Sequence, residues 1–219
     1  VNELSEQKDA YIDEIEAVSN LANFIYVRQK GPYGNATPLA CAAHLIGEDE
    51  PFIYAFADDF IVASPSRFEQ MIAAAERYDG GVFSCKSVVN DSEYDRYGIV
   101  AGETVGEGII KMSRVIEKPG KDNAPSNLAT VSSYVFTGKF FDYLDKAKEA
   151  YDGAGEFMLQ PVVQQMIDDG HSYYACEIQN GTYYDTGDKL EYLKTVIDFG
   201  LSHEELGPEL RAHLEDRLK

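Results

Sequence analysis

Two adjacent aspartates follow a run of residues that is almost continuously apolar. Residues 51–57 (Pro-Phe-Ile-Tyr-Ala-Phe-Ala) predict a strand that is buried on both faces, and Asp58 and Asp59 come directly after it. A carboxylate there faces the crevice in which open α/β sheets bind ligands, and Mg²⁺ takes one or two carboxylates together with phosphate oxygens and water. Because neighbouring residues of an extended chain point to opposite sides, we expect only one of the two to face that crevice. Adjacent aspartates are also typical of a turn or a helix cap.

A second charged pair stands at the end of a predicted strand over residues 109–117. Glu117 and Lys118 come directly before a Pro119-Gly120 turn. A glutamate can accept hydrogen bonds from sugar hydroxyls, and a lysine is a compact positive charge for a phosphate. The alternative is an exposed hairpin end whose charges are simply solvated.

Two weaker features could complete such a site. Asp185 follows a tyrosine-rich stretch and could be a second metal ligand, or it could belong to an ordinary helix cap with Asp188 as the true N-cap. The glycine-rich loop over residues 31–36 leads into a helix that we expect Thr37 to cap, and helix N-termini attract anions. The loop has neither the GxGxxG nor the GKS pattern, so it indicates little by itself.

Alternating apolar runs and amphipathic segments predict an α/β sandwich with a mostly parallel, mixed sheet. The sequence predicts one domain over residues 1–219, with a β-rich part over 90–137 and a C-terminal helix over 204–219. Predicted strands lie at residues 23–27, 51–57, 82–88, 98–100, 109–117, 130–137 and 172–178. Predicted helices lie at residues 1–20, 38–46, 138–150, 158–169, 188–203 and 206–217, and another begins after Ser66 and ends at Gly80.

Bulk composition excludes several classes of protein. The 219 residues include 38 acidic and 19 basic ones, giving a net charge of −19 without a basic stripe, so we expect no nucleic-acid partner. No apolar run reaches membrane-spanning length, so we expect no membrane association. The widely spaced cysteines Cys41, Cys85 and Cys176 suit neither a zinc site nor a disulfide framework, and Cys41 and Cys85 lie among apolar residues and should be buried. We therefore expect a cytoplasmic protein.

Seven segments of the chain occur in the order that one family shows. They are 28–36 (Arg-Gln and the glycine-rich loop), 57–59 (Ala-Asp-Asp), 97–100 (Tyr-Gly-Ile-Val), 115–119 (Val-Ile-Glu-Lys-Pro), 124–129 (Ala-Pro-Ser-Asn-Leu-Ala), 155–156 (Gly-Glu) and 184–189 (Tyr-Asp-Thr-Gly-Asp-Lys). With these segments the sequence resembles the sugar nucleotidyltransferases, and within them the bacterial UDP-glucose pyrophosphorylases. The fourth and fifth segments together point to the uridylyltransferase branch.

The resemblance implies a Rossmann-like nucleotide-diphospho-sugar transferase sandwich in which residues 90–137 help to bind the sugar. It implies a Mg²⁺-dependent reaction of UTP with glucose 1-phosphate that gives UDP-glucose and pyrophosphate. The roles it implies are Mg²⁺ ligation for Asp58 and Asp185, catalysis for Lys118 and Asp58, and substrate binding for Gln29, Gly34, Gly98, Glu117, Asn127 and Glu156. Within that last group, Gln29 and Gly34 would lie at the nucleotide, and Gly98 and Glu117 at the sugar.

The sequence departs from the family pattern most clearly at its N-terminus. The motifs GxGTR, LPxTK and PKExLP, which hold the triphosphate in the family, do not occur here. We therefore expect the N-terminal strand and nucleotide-binding loop to be missing, and this chain alone to turn over slowly or not at all. Asn35, Thr37-Pro38 and Phe157 also replace more usual family residues.

Other interpretations stay open at this point. The chain could be a non-catalytic module that binds sugar nucleotides or serves assembly, or it could be a nucleotidyltransferase for another nucleotide or sugar, such as dTTP or mannose 1-phosphate. An apolar stripe on the C-terminal helix suits a homodimer contact as well as it suits packing on the parent domain. The stripe consists of Leu206, Leu210, Leu214 and Leu218.

Overall fold

The computed structural model describes residues 9–219, so the first eight residues of the predicted helix over 1–20 lie outside the described residues. The helices are α1 Asp9–Asn20, α2 Thr37–Ala42, α3 Arg67–Tyr78, α4 Lys139–Ala150, α5 Leu159–Asp168, α6 Lys189–Ser202 and α7 Gly207–Arg217. The strands are β1 Phe52–Ala55, β2 Asp59–Ala63, β3 Gly81–Ser87, β4 Gly98–Gly106, β5 Ile109–Glu117, β6 Leu128–Phe136, β7 Tyr173–Glu177 and β8 Gly181–Asp185. No helix within this range is long and apolar enough to cross a membrane.

The larger sheet has the strand order β1-β6-β3-β7-β5-β4, and α-helices cover its faces, which confirms the predicted mixed α/β architecture. The expectation of mostly parallel pairing is wrong: among the described strands only β3 and β7 pair in parallel. The reason is that β4 and β5 form a hairpin and β6 returns between β1 and β3, so the chain between β3 and β6 contains no helical crossover. Since β1 and β3 both run antiparallel to β6, the carboxyl ends of β1, β3 and β7 share one edge.

A separate two-stranded ribbon, β2 with β8, was not predicted. The strands pair antiparallel, with Asp59 opposite Asp185. Conversely, residues 23–27 were expected to form a strand, but they pair with none of the described strands, and Phe24, Ile25 and Tyr26 are exposed. An extended apolar segment becomes a strand only where another strand accepts its hydrogen bonds.

Apolar side chains fill both faces of the sheet. Alternate residues of β3 point to opposite faces, so that Phe83 and Cys85 join the larger core cluster while Val82 joins the smaller one. The larger cluster packs against α4 and α5 through Phe140, Leu144, Leu159, Val162, Val163 and Met166. The smaller cluster packs against α3 through Met71 and Ala74. Cys85 is buried as expected, but Cys41 is only half-buried, because α2 lies close to the surface and its thiol meets the backbone of Lys30.

The N-termini of α2, α3 and α6 show which of the predicted N-caps form. Ser66 caps α3 as expected, in a capping box in which its Oγ accepts from Glu69 N at 3.2 Å and Glu69 Oε2 accepts from Ser66 N at 2.8 Å. Asp188 caps α6, which confirms the alternative considered for that position. The expected cap at Thr37 is wrong, because its hydroxyl donates instead to the carbonyl of Pro32 at 2.6 Å and Thr37 becomes the first residue of α2.

The capping box of α3 gives a direct test of stability. Ser66→Ala should lower the free energy of unfolding by about 1 kcal/mol, because the N-terminal amide of the helix loses its acceptor. Urea unfolding measures the loss. Ser92→Ala is the control, since Ser92 is exposed and its hydroxyl makes no hydrogen bond within residues 9–219. Equal losses in the two variants would contradict the prediction.

Candidate active site

Two carboxylates flank one small space at the end of the β2–β8 ribbon. The backbone carbonyl of Asp58 accepts hydrogen bonds from Thr186 N at 2.7 Å and from Thr186 Oγ1 at 2.6 Å. Asp58 Oδ2 and Asp185 Oδ1 each lie 3.3 Å from one point, the position that a Cβ atom on Gly187 would occupy. The absence of a side chain at Gly187 therefore leaves room between the two carboxylates.

Asp185 is held on every side. Its Oδ1 accepts from the backbone amides of Gly187 at 3.1 Å and Asp188 at 3.3 Å. Its Oδ2 accepts from Arg96 Nη2 at 2.7 Å and from the Tyr97 hydroxyl at 3.3 Å. The carboxylate is thus fixed in place, with most of its acceptor capacity in use.

The Asp58 carboxylate is exposed and makes neither a hydrogen bond nor an ion pair within residues 9–219. One free and one fixed carboxylate form a donor set that fits Mg²⁺, which takes one or two carboxylates and completes its shell with phosphate oxygens and water. Within the same residues, no group of three or more His, Cys, Asp or Glu side chains is arranged to hold a metal. A cation at Asp58 would therefore need oxygens from a bound substrate.

Asp59 points the other way, in line with the expected alternation. Its Oδ2 accepts from the Tyr183 hydroxyl at 3.0 Å, and its Oδ1 is buried without a partner in the described part of the chain. The buried Arg67 donates to the Asp59 carbonyl at 3.4 Å and to Ser132 Oγ at 3.0 Å. Burial, with a smaller contribution from the charge of Asp58, raises the pKa of the Asp59 carboxyl to about 6.

The structure brings Gly98, Glu117 and Lys118 together. Gly98 lies directly opposite Glu117 in the β4–β5 hairpin, and Glu117 Oε2 comes within 3.0 Å of the position a Cβ on Gly98 would take. A side chain at residue 98 would therefore displace that carboxylate. Burial raises the pKa of Glu117, while the charge of Lys118 opposes this. Asn127 is exposed, and its carbonyl accepts from Val88 N at 2.8 Å.

Tyr97 connects these two groups of residues. Its carbonyl accepts from Lys118 N at 3.2 Å, and its hydroxyl donates to Asp185. Burial raises the pKa of Tyr97 to about 12, so the hydroxyl keeps its proton at neutral pH. Sequence reasoning missed both Arg96 and Tyr97 as site residues, although they directly precede Gly98, to which it gave a role.

The glycine-rich loop forms a third group at the start of α5. Gly34 has φ of +139°, and a Cβ there would overlap the carbonyl of Phe157, so the close approach requires glycine. Asn35 Oδ1 accepts from Leu159 N at 2.8 Å and thereby supplies an acceptor for the first amide of α5. Glu156 is exposed beside this contact.

Gln29 is exposed, and its side chain makes no hydrogen bond within residues 9–219. The link between the loop and the carboxylates runs through β1, where the Tyr54 hydroxyl donates to Asn35 O at 2.9 Å, four residues before Asp58. The structure therefore places Gly34 next to the segment that contains Glu156. Within residues 9–219, neither Gly34 nor Glu156 forms a hydrogen bond with Asp58.

Comparison with known proteins identifies the family. A family model described as nucleotidyl transferase matches residues 2–199, and the chain belongs to that family. The chain is 31% identical to a UTP–glucose-1-phosphate uridylyltransferase of Bacillus subtilis (strain 168), over 96% of this chain and 70% of that protein. It is 30% identical to another, YngB of the same strain, over 97% of this chain and 69% of that protein.

Solved structures agree with this result and confirm the predicted resemblance. A UDP-glucose pyrophosphorylase complexed with UDP-glucose has a TM-score of 0.79 at 25% identity, covering 91% of this chain and 74% of that one. The enzyme from Acinetobacter baumannii has a TM-score of 0.79 at 28% identity, covering 98% of this chain and 73% of that one. Its UTP-bound form has a TM-score of 0.78 at 28% identity, covering 95% and 72%.

Gly187→Ala should obstruct the space between the two carboxylates. The backbone of Gly187 lies outside the left-handed region, so alanine is tolerated, but the new methyl group would lie 3.3 Å from both Asp58 and Asp185. We expect binding of Mn²⁺ in the presence of UTP, measured by calorimetry, to weaken about tenfold. Gly47→Ala is the matched control, because its methyl group would meet the Glu50 carboxylate at 3.4 Å, away from the site. Equal effects in both variants would argue against a cation between these aspartates.

The raised pKa of Asp59 predicts that the free energy of unfolding depends on pH in metal-free buffer. The folded state binds the Asp59 proton more tightly than the unfolded state, so this group costs stability above the folded pKa of about 6 and not below the unfolded value of 3.8. Between pH 4 and pH 7, the free energy of unfolding of Asp59→Asn should rise relative to that of the wild type by on the order of 2 kcal/mol. Urea unfolding at several pH values measures this, with exposed Asp49→Asn as control. A constant difference between Asp59→Asn and wild type would refute the prediction.

Proposed function

We propose that this chain catalyses uridylyl transfer from UTP to glucose 1-phosphate, giving UDP-glucose and pyrophosphate. The observation that carries the proposal is the connection, through Tyr97, of the Asp58–Asp185 carboxylate pair to Glu117 and Lys118. The names of the relatives and of the similar solved structures support the choice of substrates.

In this reaction a phosphate oxygen of glucose 1-phosphate forms a bond to the α-phosphorus of UTP. The bond from that phosphorus to the oxygen bridging to the β-phosphate breaks, and pyrophosphate leaves with the electron pair. No proton has to be removed from the attacking phosphate oxygen at neutral pH. The protein therefore contributes mainly by aligning the two anions and by offsetting the charge on them.

Each end of the site has a distinct task in this proposal. Glu117 accepts hydrogen bonds from the sugar hydroxyls above Gly98, Lys118 binds the sugar phosphate, and Asn127 contacts the sugar. Gln29, Gly34 and Glu156 form the nucleotide end. In this proposal the protein is cytoplasmic, and its substrates are free metabolites.

Asp58 is the principal Mg²⁺ ligand in this proposal, because its carboxylate is free, and Asp185 supports it from a fixed position. Mg²⁺ held by these two carboxylates would offset the negative charge of the phosphates. A chain with a net charge of −19 has particular need of such local positive charge.

Asp58→Asn should lower kcat/KM for UTP by about a hundredfold, because a neutral amide is a poor Mg²⁺ ligand, a loss of about 3 kcal/mol. Pyrophosphate release from UTP and glucose 1-phosphate measures the rate. Exposed Asp49→Asn, which removes a charge elsewhere, should leave the rate unchanged.

Calorimetry with UDP-glucose, with and without Mg²⁺, is the second measurement, because it detects binding independently of turnover. Mg²⁺-dependent binding that Asp58→Asn abolishes would support the proposal even at low turnover. Tight binding of UDP-glucose that is unchanged both without Mg²⁺ and in Asp58→Asn would instead indicate a non-catalytic binding module. A panel with dTTP and mannose 1-phosphate tests the choice of nucleotide and sugar.

A further inference from the structure

The two carboxylates of the site stand on an element that is weak by itself. Asp58 directly precedes β2 and Asp185 ends β8, and these two strands pair only with each other within residues 9–219. An isolated two-stranded ribbon is marginally stable in water. Contacts with the rest of the protein must therefore set where the carboxylates lie. Phe199 of α6 packs on Phe60 and Tyr184 of the ribbon, and residues of the larger sheet meet the end where the carboxylates are.

Two tyrosines meet at the end of the ribbon where the carboxylates are, Tyr97 from the larger sheet and Tyr183 from the ribbon itself. Tyr97 directly precedes β4 of the larger sheet, and its hydroxyl donates to Asp185 Oδ2 at 3.3 Å. Tyr183 lies on β8, and its hydroxyl donates to Asp59 Oδ2 at 3.0 Å, next to Asp58. The two rings meet edge to face, with centroids 6.1 Å apart and planes at 87°.

Lys86 fixes the two rings to the centre of the larger sheet. It belongs to β3, and its Nζ lies 5.3 Å from the ring centroid of Tyr97 and 5.1 Å from that of Tyr183. The same Nζ forms an ion pair of 2.8 Å with Glu93, in which the side chains are only 15% and 13% exposed. A cation that contacts two aromatic faces in a sheltered setting is well placed to stabilise their arrangement.

We propose that Tyr97, Tyr183 and Lys86 form a brace that positions the Asp58–Asp185 pair to bind a divalent cation together with the nucleotide. These are positioning residues, because they act through Asp59 and Asp185 and not on the substrate. The choice of a divalent cation rests on the proposed function, whereas the placement of the ribbon by the brace does not.

Plain packing does not account for these residues. Phenylalanine would fill the same space, yet each hydroxyl donates to an acid at the end of the ribbon that holds the site. A half-buried lysine also costs desolvation that an apolar residue would avoid. Outer partners that hold metal-binding carboxylates typically change metal affinity by about 10- to 100-fold when they are removed.

The test uses Tyr97→Phe and Tyr183→Phe, which keep both rings and remove only the hydroxyl groups. Tyr143→Phe is the matched control, since the Tyr143 hydroxyl also donates to an aspartate, Asp169 Oδ2, at 3.0 Å, on α4 and away from the ribbon. Two measurements are made on the full chain: calorimetric titration with Mn²⁺ in the presence of UTP, and hydrogen exchange without metal in peptides covering residues 58–63 and 181–187.

If the brace positions the carboxylates, both site variants bind Mn²⁺ at least about tenfold more weakly than the wild type. Exchange in the two ribbon peptides rises in both variants, and Tyr143→Phe changes neither measurement. Ribbon exchange that is unchanged in both site variants, or that rises equally in Tyr143→Phe, overturns the brace. If the wild type binds no Mn²⁺ with UTP, the metal step of the proposed function fails, and hydrogen exchange alone then decides whether the brace exists.

Discussion

The antiparallel pairing of β2 with β8 sets Asp59 opposite Asp185, and the placement of the two site carboxylates, Asp58 and Asp185, depends on that register. The Thr186 backbone and hydroxyl hold the Asp58 carbonyl, so the Asp58 carboxylate faces outward while Asp59 faces Tyr183. A slip of one residue would exchange the two directions and bury the carboxylate that is now free. The register of this short ribbon therefore determines that the Asp58 side chain, and not the chemically identical Asp59 side chain, is available to a ligand.

The charges around the site support the proposal of a bound divalent cation. The polar groove beside Tyr97 and Asp185 has a volume of about 620 Å³, but acids neutralise the cations along it. The pairs are Lys86–Glu93, Arg96–Asp185 and Lys194–Glu191. Lys118 is the cation of the candidate site that forms no ion pair within residues 9–219. One ammonium group cannot offset a sugar phosphate and a triphosphate together, so an added divalent cation has a clear physical purpose.

Local patterns predicted much of the fold and part of the site. The cap at Ser66, the buried strand β3 and the adjacency of Gly98 with Glu117 all follow from short stretches of sequence or from the family resemblance. The β2–β8 ribbon could not be predicted in this way, because its strands are five residues long and more than 100 residues apart. The Arg96–Asp185 ion pair depends on that same long-range pairing, so no local pattern indicates it. The expectation of mostly parallel pairing in a mixed sheet was wrong because local sequence does not indicate that β6 runs antiparallel to β1 and β3.

Lys118 holds a backbone conformation that amino acids other than glycine rarely adopt, with φ of +46°. For a residue with a Cβ atom this region costs about 1–2 kcal/mol. The hydrogen bond from its amide to the Tyr97 carbonyl helps to hold the chain in this state. Glycine would fit the bend with less strain but would carry no charge. The chain thus carries local strain at the residue that adds an ammonium group to the candidate site, and strain of this kind persists only where the surrounding structure holds it in place.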